Sequence, residues 1–423
     1  MRYIVIIILV ALLALRFFFF FSSQHGFRDG EQVEFTSRLT EEPKISGRGQ
    51  QFSLRAPGNE AIYLSTTLFP RLQYGDFVSI KGKIAIKQTK SGRKIFTAAY
   101  PKIKRLDRGD NLFSSASTFI RQRSTLLYNK TLDPISSDLL LGIVFGAKAN
   151  FPQDFMQNLR TTGVLHVIAA SGMNVSFFTG AVMFSLGTVF TRRISLLLSV
   201  IAVIFYSFLV GFQASILRAS IMAIIAFTAS FFGRQNLAII GLFSTGAGML
   251  LYDPGFIFDV GFQLSFMATL GILLLKPMID AIKGFERVKA LREDFSTTLA
   301  AQLATFPILL GTFGMFGILS VLVNVLVLWT VPLLMLLGSL AVIVGLVVPL
   351  IGQFLLLLCL PFLLFFETIV SFFGSLGWNL SVESFPWQLA VGYYLVLGAV
   401  VSKRIMKHES RSKENPPAGG HNS

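Results

Sequence analysis

Three stretches of this chain, residues 164–190, 195–210 and 321–348, contain no Asp, Glu, Lys or Arg. An uninterrupted apolar run of about 18 residues or more is long enough to cross a bilayer as a helix, and two of the three exceed that length. Only 14% of the residues are charged and 53% are hydrophobic, whereas soluble domains carry about a quarter charged residues. A water-soluble fold could not bury so much apolar surface. The sequence therefore reads as a polytopic α-helical membrane protein.

The polar residues are gathered elsewhere, and they divide the chain. Residues 1–21 open with Met1-Arg2 and an apolar run that continues through the phenylalanines at 17–21. No small-residue cleavage site precedes Ser22, so this segment reads as a retained anchor rather than a cleaved signal peptide. Arg16 within it must snorkel or face protein. Residues 22–111 read as an extracytoplasmic β-domain, 112–163 as amphipathic or interfacial helices and 164–401 as the membrane domain. Residues 402–423 read as a disordered tail, from their charge and their Pro-Pro and Gly-Gly pairs. The apolar piece 139–146 is too short to cross and is a candidate interfacial or re-entrant segment.

Within 22–111, segments 32–39, 51–56, 61–66, 77–86 and 94–100 alternate apolar and polar residues, with turn signals such as Ala-Pro-Gly-Asn at 56–59 between them. Five short strands suit a small closed β-barrel of the OB type. From Arg28 to Asp110 there are 16 Lys and Arg against 9 Asp and Glu. Lys81, Lys83 and Lys87 share the polar face of one expected strand, and Lys90, Arg93 and Lys94 follow around the next turn. Tyr63, Phe69, Tyr74, Phe96 and Tyr100 are interleaved, as on a surface where bases stack on aromatics beside a phosphate-attracting stripe. A solubilising face beside anionic lipid, with the aromatics in a barrel core, would show the same pattern. Composition leaves both readings open.

Orientation follows from counting. Helices are expected at 166–190, 194–209, 216–232, 237–252, 256–275, 295–315, 318–347, 351–373 and 387–401. With Arg2 inside, the β-domain falls outside. Arg192-Arg193, Arg234, the loop 276–294 and the tail at Lys403-Arg404 then fall inside, as the positive-inside rule requires. The lipid bilayer is then the solvent of the helical body, and the C-terminus lies inside. Residues 318–347, holding Pro332 and Gly338, are long for one span and could be two broken pieces.

Four polar clusters interrupt the apolar body. They are Arg160–His166 continuing to Ser171 and Asn174; Gln213 with Ser215 and Arg218; Asp253 with Asp259, Gln263 and Ser265; and Gln302 with Asn324. Polar side chains at helix depth usually face a cavity or a partner. Singly, each has a plain role: His166, Gln302 and Asn324 as interhelical hydrogen bonders, Arg218 and Asp259 as a structural pair. Together they describe a polar path through an apolar body, as in a transporter or a channel.

Enzyme signatures are lacking: the chain has no HExxH, GxSxG or Walker A motif, and no carboxylates at workable spacing. Four histidines, two of them in the tail, and the lone Cys359 are too few for a metal centre. The expectation is a non-enzyme with no catalytic residues, metal or cofactor, driven by a partner or a gradient.

The polar clusters also carry a resemblance. RTTGVLHVIAASGMNV at 160–175, ASILRA at 214–219, DPGFIFDVGFQLSFMATLGI at 253–272 and AQLATFPILLGTFG at 301–314, with Asn324 and Pro332 following, resemble the motifs of the ComEC competence-protein family in the family's order. An anchor followed by a small OB-like domain matches its N-terminal arrangement. The resemblance implies a channel for single-stranded DNA during natural transformation, working with a DNA receptor, a nuclease and a cytoplasmic motor, and compatible with a homo-oligomer. It places His166, Ser171, Arg218, Asp259, Gln263, Ser265 and Gln302 at motif positions. Arg218 then suits phosphate contact, the amides and hydroxyls uncharged lining, and Asp259 partnership with Arg218. Two departures stand out. Asn174 sits where the family commonly has His, and the metallo-β-lactamase-like motif of many members is missing, so strand cleavage is not expected here. A permease for another anionic solute or envelope precursor, or a non-transporting scaffold, remain the alternatives.

Overall fold

The computed structural model describes residues 2–22, 27–39, 43–46, 49–56, 61–72, 76–88, 94–107, 112–147, 151–168, 172–210, 214–231, 238–281, 289–382 and 385–414. After helix α1 (Arg2–Ser22) come strands β1 (Gln32–Arg38), β2 (Lys44–Ser46), β3 (Gly49–Arg55), β4 (Ala61–Thr67), β5 (Phe77–Lys83), β6 (Ala85–Gln88), β7 (Lys94–Ala99) and β8 (Lys102–Asp107). Period-2 alternation drives them: Val78 and Ile80 of β5 are buried while Phe77, Lys81 and Lys83 are exposed.

These strands do not make the expected closed barrel. They form a three-stranded sheet, β1-β5-β8, and a five-stranded sheet, β2-β3-β4-β7-β6, sharing a core that includes Phe35, Leu54, Ile62, Val78 and Ile84. The physical reason lies at two corners. The expected strand 77–86 breaks at buried Ile84, whose N–H and C=O pair with Glu31 and Gly30 at 2.9 and 2.8 Å instead of continuing either ladder. The strand begun at Lys94 breaks at Tyr100 (φ 49°) and Pro101, which brings no N–H. Gly82 permits this crossing, since a Cβ there would lie 2.8 Å from Pro101 Cβ. Strands that switch sheets at bends pack two layers at an angle.

The helical body begins with α2 (Leu112–Thr131), α3 (Pro134–Phe145), α4 (Gln153–Thr161), α5 (Leu165–Ile168) and α6 (Gly172–Gly187). It continues through α7 (Arg192–Val210), α8 (Ala214–Phe231), α9 (Ala238–Tyr252), a 3-10 turn (Pro254–Phe258), α10 (Val260–Asp280) and α11 (Lys289–Phe313). Strand β9 (Met315–Gly317), α12 (Ser320–Val327), α13 (Thr330–Gly345), α14 (Pro349–Ser375), strand β10 (Asn379–Ser381) and α15 (Trp387–Glu414) complete it. Four of these helices are long and apolar enough to cross a membrane: α7, α10, α11 from Arg292, and α14. The pair α12–α13, bent by 43°, makes a fifth when its two pieces are taken as one broken span, which is the division anticipated for 318–347. Three further positions of the expected ladder hold shorter apolar helices, α6, α8 and α9. The last expected span, 387–401, is the apolar part of α15, and the helix runs on to Glu414 through residues expected to be disordered.

Helix α3 is the hub. Asp133 caps it by accepting from the N–H of Ile135 and Ser136 at 3.2 and 3.1 Å, Pro134 fills its first position, and Gly146 closes it in the left-handed region. Ser136, Ser137 and every residue from Leu139 to Phe145 are buried, so the short apolar piece is interior rather than surface-lying. Its last-turn carbonyls need donors. Asn174 Nδ2 reaches Ile143 O at 2.9 Å, and Tyr206 Oη reaches Val144 O at 3.3 Å. Arg16 faces protein: its guanidinium donates to the carbonyls of Leu251 and Tyr252 at the end of α9, at 3.0 and 3.2 Å, where a cation also suits the helix dipole.

Candidate nucleic-acid interface and polar seam

The outer face of the three-stranded sheet is a lysine surface assembled across strands. On β5, Lys81 and Lys83 point outward; Lys81 stands opposite Lys102 of β8, and Ser79 opposite Lys104. Lys102, Lys104 and Arg38 of β1 are exposed on the same face, with Arg38 opposite exposed Phe77. Glu34 supplies one carboxylate there, bonded to Lys81 at 2.6 Å. Arg105, by contrast, turns inward to the buried carboxylate of Asp76 at 2.7 Å, which pins β8 beside β5. Tyr100, 73% exposed, immediately precedes Pro101 and Lys102.

The basic residues anticipated from sequence separate accordingly. Lys81 and Lys83 lie on this face. Lys87 does not share their strand: it is exposed on β6, in the other sheet, because the chain breaks at Ile84. Lys94 opens β7 opposite Gln88, while Lys90, Arg93 and Tyr74 lie outside the described residues. Of the aromatics, Tyr63 and Phe69 are exposed, whereas Phe96 packs edge-on to Phe27 at 5.5 Å against the core. Lys102 and Lys104 are not among the basic residues expected from sequence, although the alternation of Lys-Ile-Lys-Arg-Leu-Asp at 102–107 is the signal for their strand.

In the helical body, two polar groupings form. Arg218 on α8, 5% exposed, donates from Nε and Nη2 to Ser265 Oγ on α10 at 2.9 and 2.6 Å, and from Nη1 to Met222 Sδ at 3.1 Å. Gly172 of α6 closes the site; a Cβ there would lie 3.0 Å from Arg218 Nη2. Among the described residues Arg218 makes these contacts rather than the anticipated pair with Asp259. Asp259 instead caps α10, accepting from Phe262 N–H at 2.7 Å, and Gln263 donates to Ile257 O at 2.7 Å. Ser215 stands half-buried in the first turn of α8.

The second grouping joins α11, α12 and the turn before α5. Ser320 Oγ donates to Gln302 Oε1 at 3.0 Å. Gly163, at φ +71°, packs on Ser320, where a Cβ would meet its Cβ at 2.7 Å. His166 Nδ1 meets Gly163 O at 2.9 Å, with the ring exposed. One turn beyond Ser320, Asn324 is 1% exposed, and its Oδ1 has no hydrogen-bond partner among the described residues. Asn174 is engaged in holding α3, and Ser171 lies outside the described residues. Among the described residues no three His, Cys, Asp or Glu side chains gather as a metal site.

The model of the competence-protein family matches residues 143–407, from the end of α3 into α15. The chain belongs to the competence-protein family. Among characterised relatives, ComE operon protein 3 of Bacillus subtilis (strain 168) is 27% identical over 210 residues, covering 49% of this chain and 26% of that protein. An uncharacterised protein of Aquifex aeolicus (strain VF5) is 29% identical over 197 residues, covering 43% of this chain and 47% of its own length. The match thus spans half or less of either relative. No solved structure matches the chain.

Proposed function

We propose that this competence-family protein is a channel for single-stranded DNA across the cytoplasmic membrane during natural transformation. The observation that carries the reading is the family match over the helical body. In this reading residues 164–401 form the channel domain, oriented by the basic loops with the sheets outside and the C-terminus inside. The lysine face receives the strand, and the groupings around Arg218–Ser265 and Gln302–Ser320–Asn324 line or gate its passage. Arg218 meets phosphate; the hydroxyls and amides supply uncharged lining. The channel catalyses nothing itself, and a receptor, a nuclease and a motor act beside it.

The test is DNA uptake in competent cells lacking the protein, complemented with wild type or with Arg218→Ala at equal membrane levels. Restoration by wild type alone supports the channel and places Arg218 in it. Unchanged transformation in the deletion strain would overturn the reading in favour of a carrier for another anionic solute.

A further inference from the structure

Helix α14 is the longest candidate span and carries one charged residue, Glu367. An ionisable group in an apolar span is costly and is kept where it has a partner or a task. Glu367 is half-buried, and its Oε1 meets Ser136 Oγ of α3 at 2.6 Å. Ser136 itself is fully buried. Among the described residues no cation is bonded to the carboxylate. The elements packed on α14 are α2, α3, α4, α12 and α13; the last two carry no titratable side chain. The hydrogen bond described for Glu367 is to Ser136, and its described contacts do not include Arg121, Arg123, Tyr128 or Lys130 of α2, Asp138 of α3, Asp154 or Arg160 of α4, or Cys359 on α14 itself. Asp133 lies three residues before Ser136, and its carboxylate is engaged by the N–H groups of Ile135 and Ser136 as the cap of α3.

We propose that Glu367 is a proton-binding site of the helical body, taking up and releasing a proton against the hydroxyl of Ser136 while Asp133 remains the helix cap. A serine hydroxyl both donates and accepts. It donates to the carboxylate and accepts from the carboxylic acid, so the same short contact serves both states. The protein thereby holds a protonic ligand between α14 and α3, whatever solute the two polar groupings conduct.

An apolar carbodiimide reads this directly, because a protonated carboxyl in apolar surroundings adds across the carbodiimide and rearranges to a stable N-acylurea, with nothing leaving. The full-length protein in its membrane, treated with dicyclohexylcarbodiimide and mapped by mass spectrometry, should be labelled at Glu367. Labelling should fall about tenfold per pH unit above the titration point, and Glu367→Gln should remove it. Ser136→Ala should shift the pH of half-labelling; an unmoved midpoint would remove the serine from the site. Absence of label at acidic pH in folded wild type, or labelling indifferent to pH, would overturn the proposal. Arg218→Ala should be labelled like wild type, so loss of DNA uptake and loss of the proton site are told apart.

Discussion

Arg218 shows how much of a buried charge a sequence can and cannot disclose. Its place in an apolar helix was visible as a polar residue among aliphatic ones, but its partner, 47 residues away on α10, was not. Asp259 drew attention as the obvious opposite charge, yet a local rule accounts for it: an Asp three residues before Phe262 at a helix start is an N-cap. Here the short-range cap accounts for the carboxylate without a long-range pair. The guanidinium offers five N–H groups, and Ser265 Oγ accepts twice while Met222 sulfur is a weak acceptor. Ser265→Ala should therefore destabilise the protein by about 1.5–3 kcal/mol, the usual worth of a hydrogen bond to a buried charged group. Thermal unfolding in detergent measures this, and Ser265→Thr should recover most of the loss. A shift near zero would mean that another acceptor serves Arg218 equally well.

Among the elements, the long helices were legible because an apolar run has one economical solution in lipid, a hydrogen-bonded helix. The interruptions were harder to read. The three-residue strands β9 and β10 pair only because α11 and α14 bring residues 315–317 and 379–381 together, and no local pattern announces them. The interior position of α3 is likewise a packing outcome. Gly142 of α3 faces Ile168, where a Cβ would fall 2.4 Å from Cγ2 and 3.0 Å from the backbone oxygen. Gly180 of α6 has open space within 4 Å. Gly142→Ala should cost about 1–3 kcal/mol through overpacking, whereas Gly180→Ala should be neutral or stabilising by up to about 1 kcal/mol, as for alanine over glycine within a helix. Parallel unfolding curves of the two variants decide it. Equal behaviour would show that α3 and α5 do not pack this closely.

For the whole molecule, the division into a basic β-region and an apolar helical body was legible from charge alone, since the two compositions cannot share one solvent. Which lysines share a face was not, because that depends on two corners in the chain. The break at Ile84 sends Lys87 to the five-stranded sheet, and the bend at Tyr100 returns Lys102 and Lys104 to stand beside Lys81. If DNA lies on the three-stranded face, Lys102→Glu with Lys104→Glu should weaken binding of a single-stranded oligonucleotide to the full-length protein. The slope of log affinity against log salt should shrink by about 0.7 per lost phosphate contact. Lys87→Glu, on the other sheet, should leave that slope unchanged. Fluorescence anisotropy across a salt series separates the cases. An equal loss from Lys87→Glu would run the strand over the five-stranded sheet instead. Binding that ignores both salt and these substitutions would return the lysines to the role of a solubilising surface.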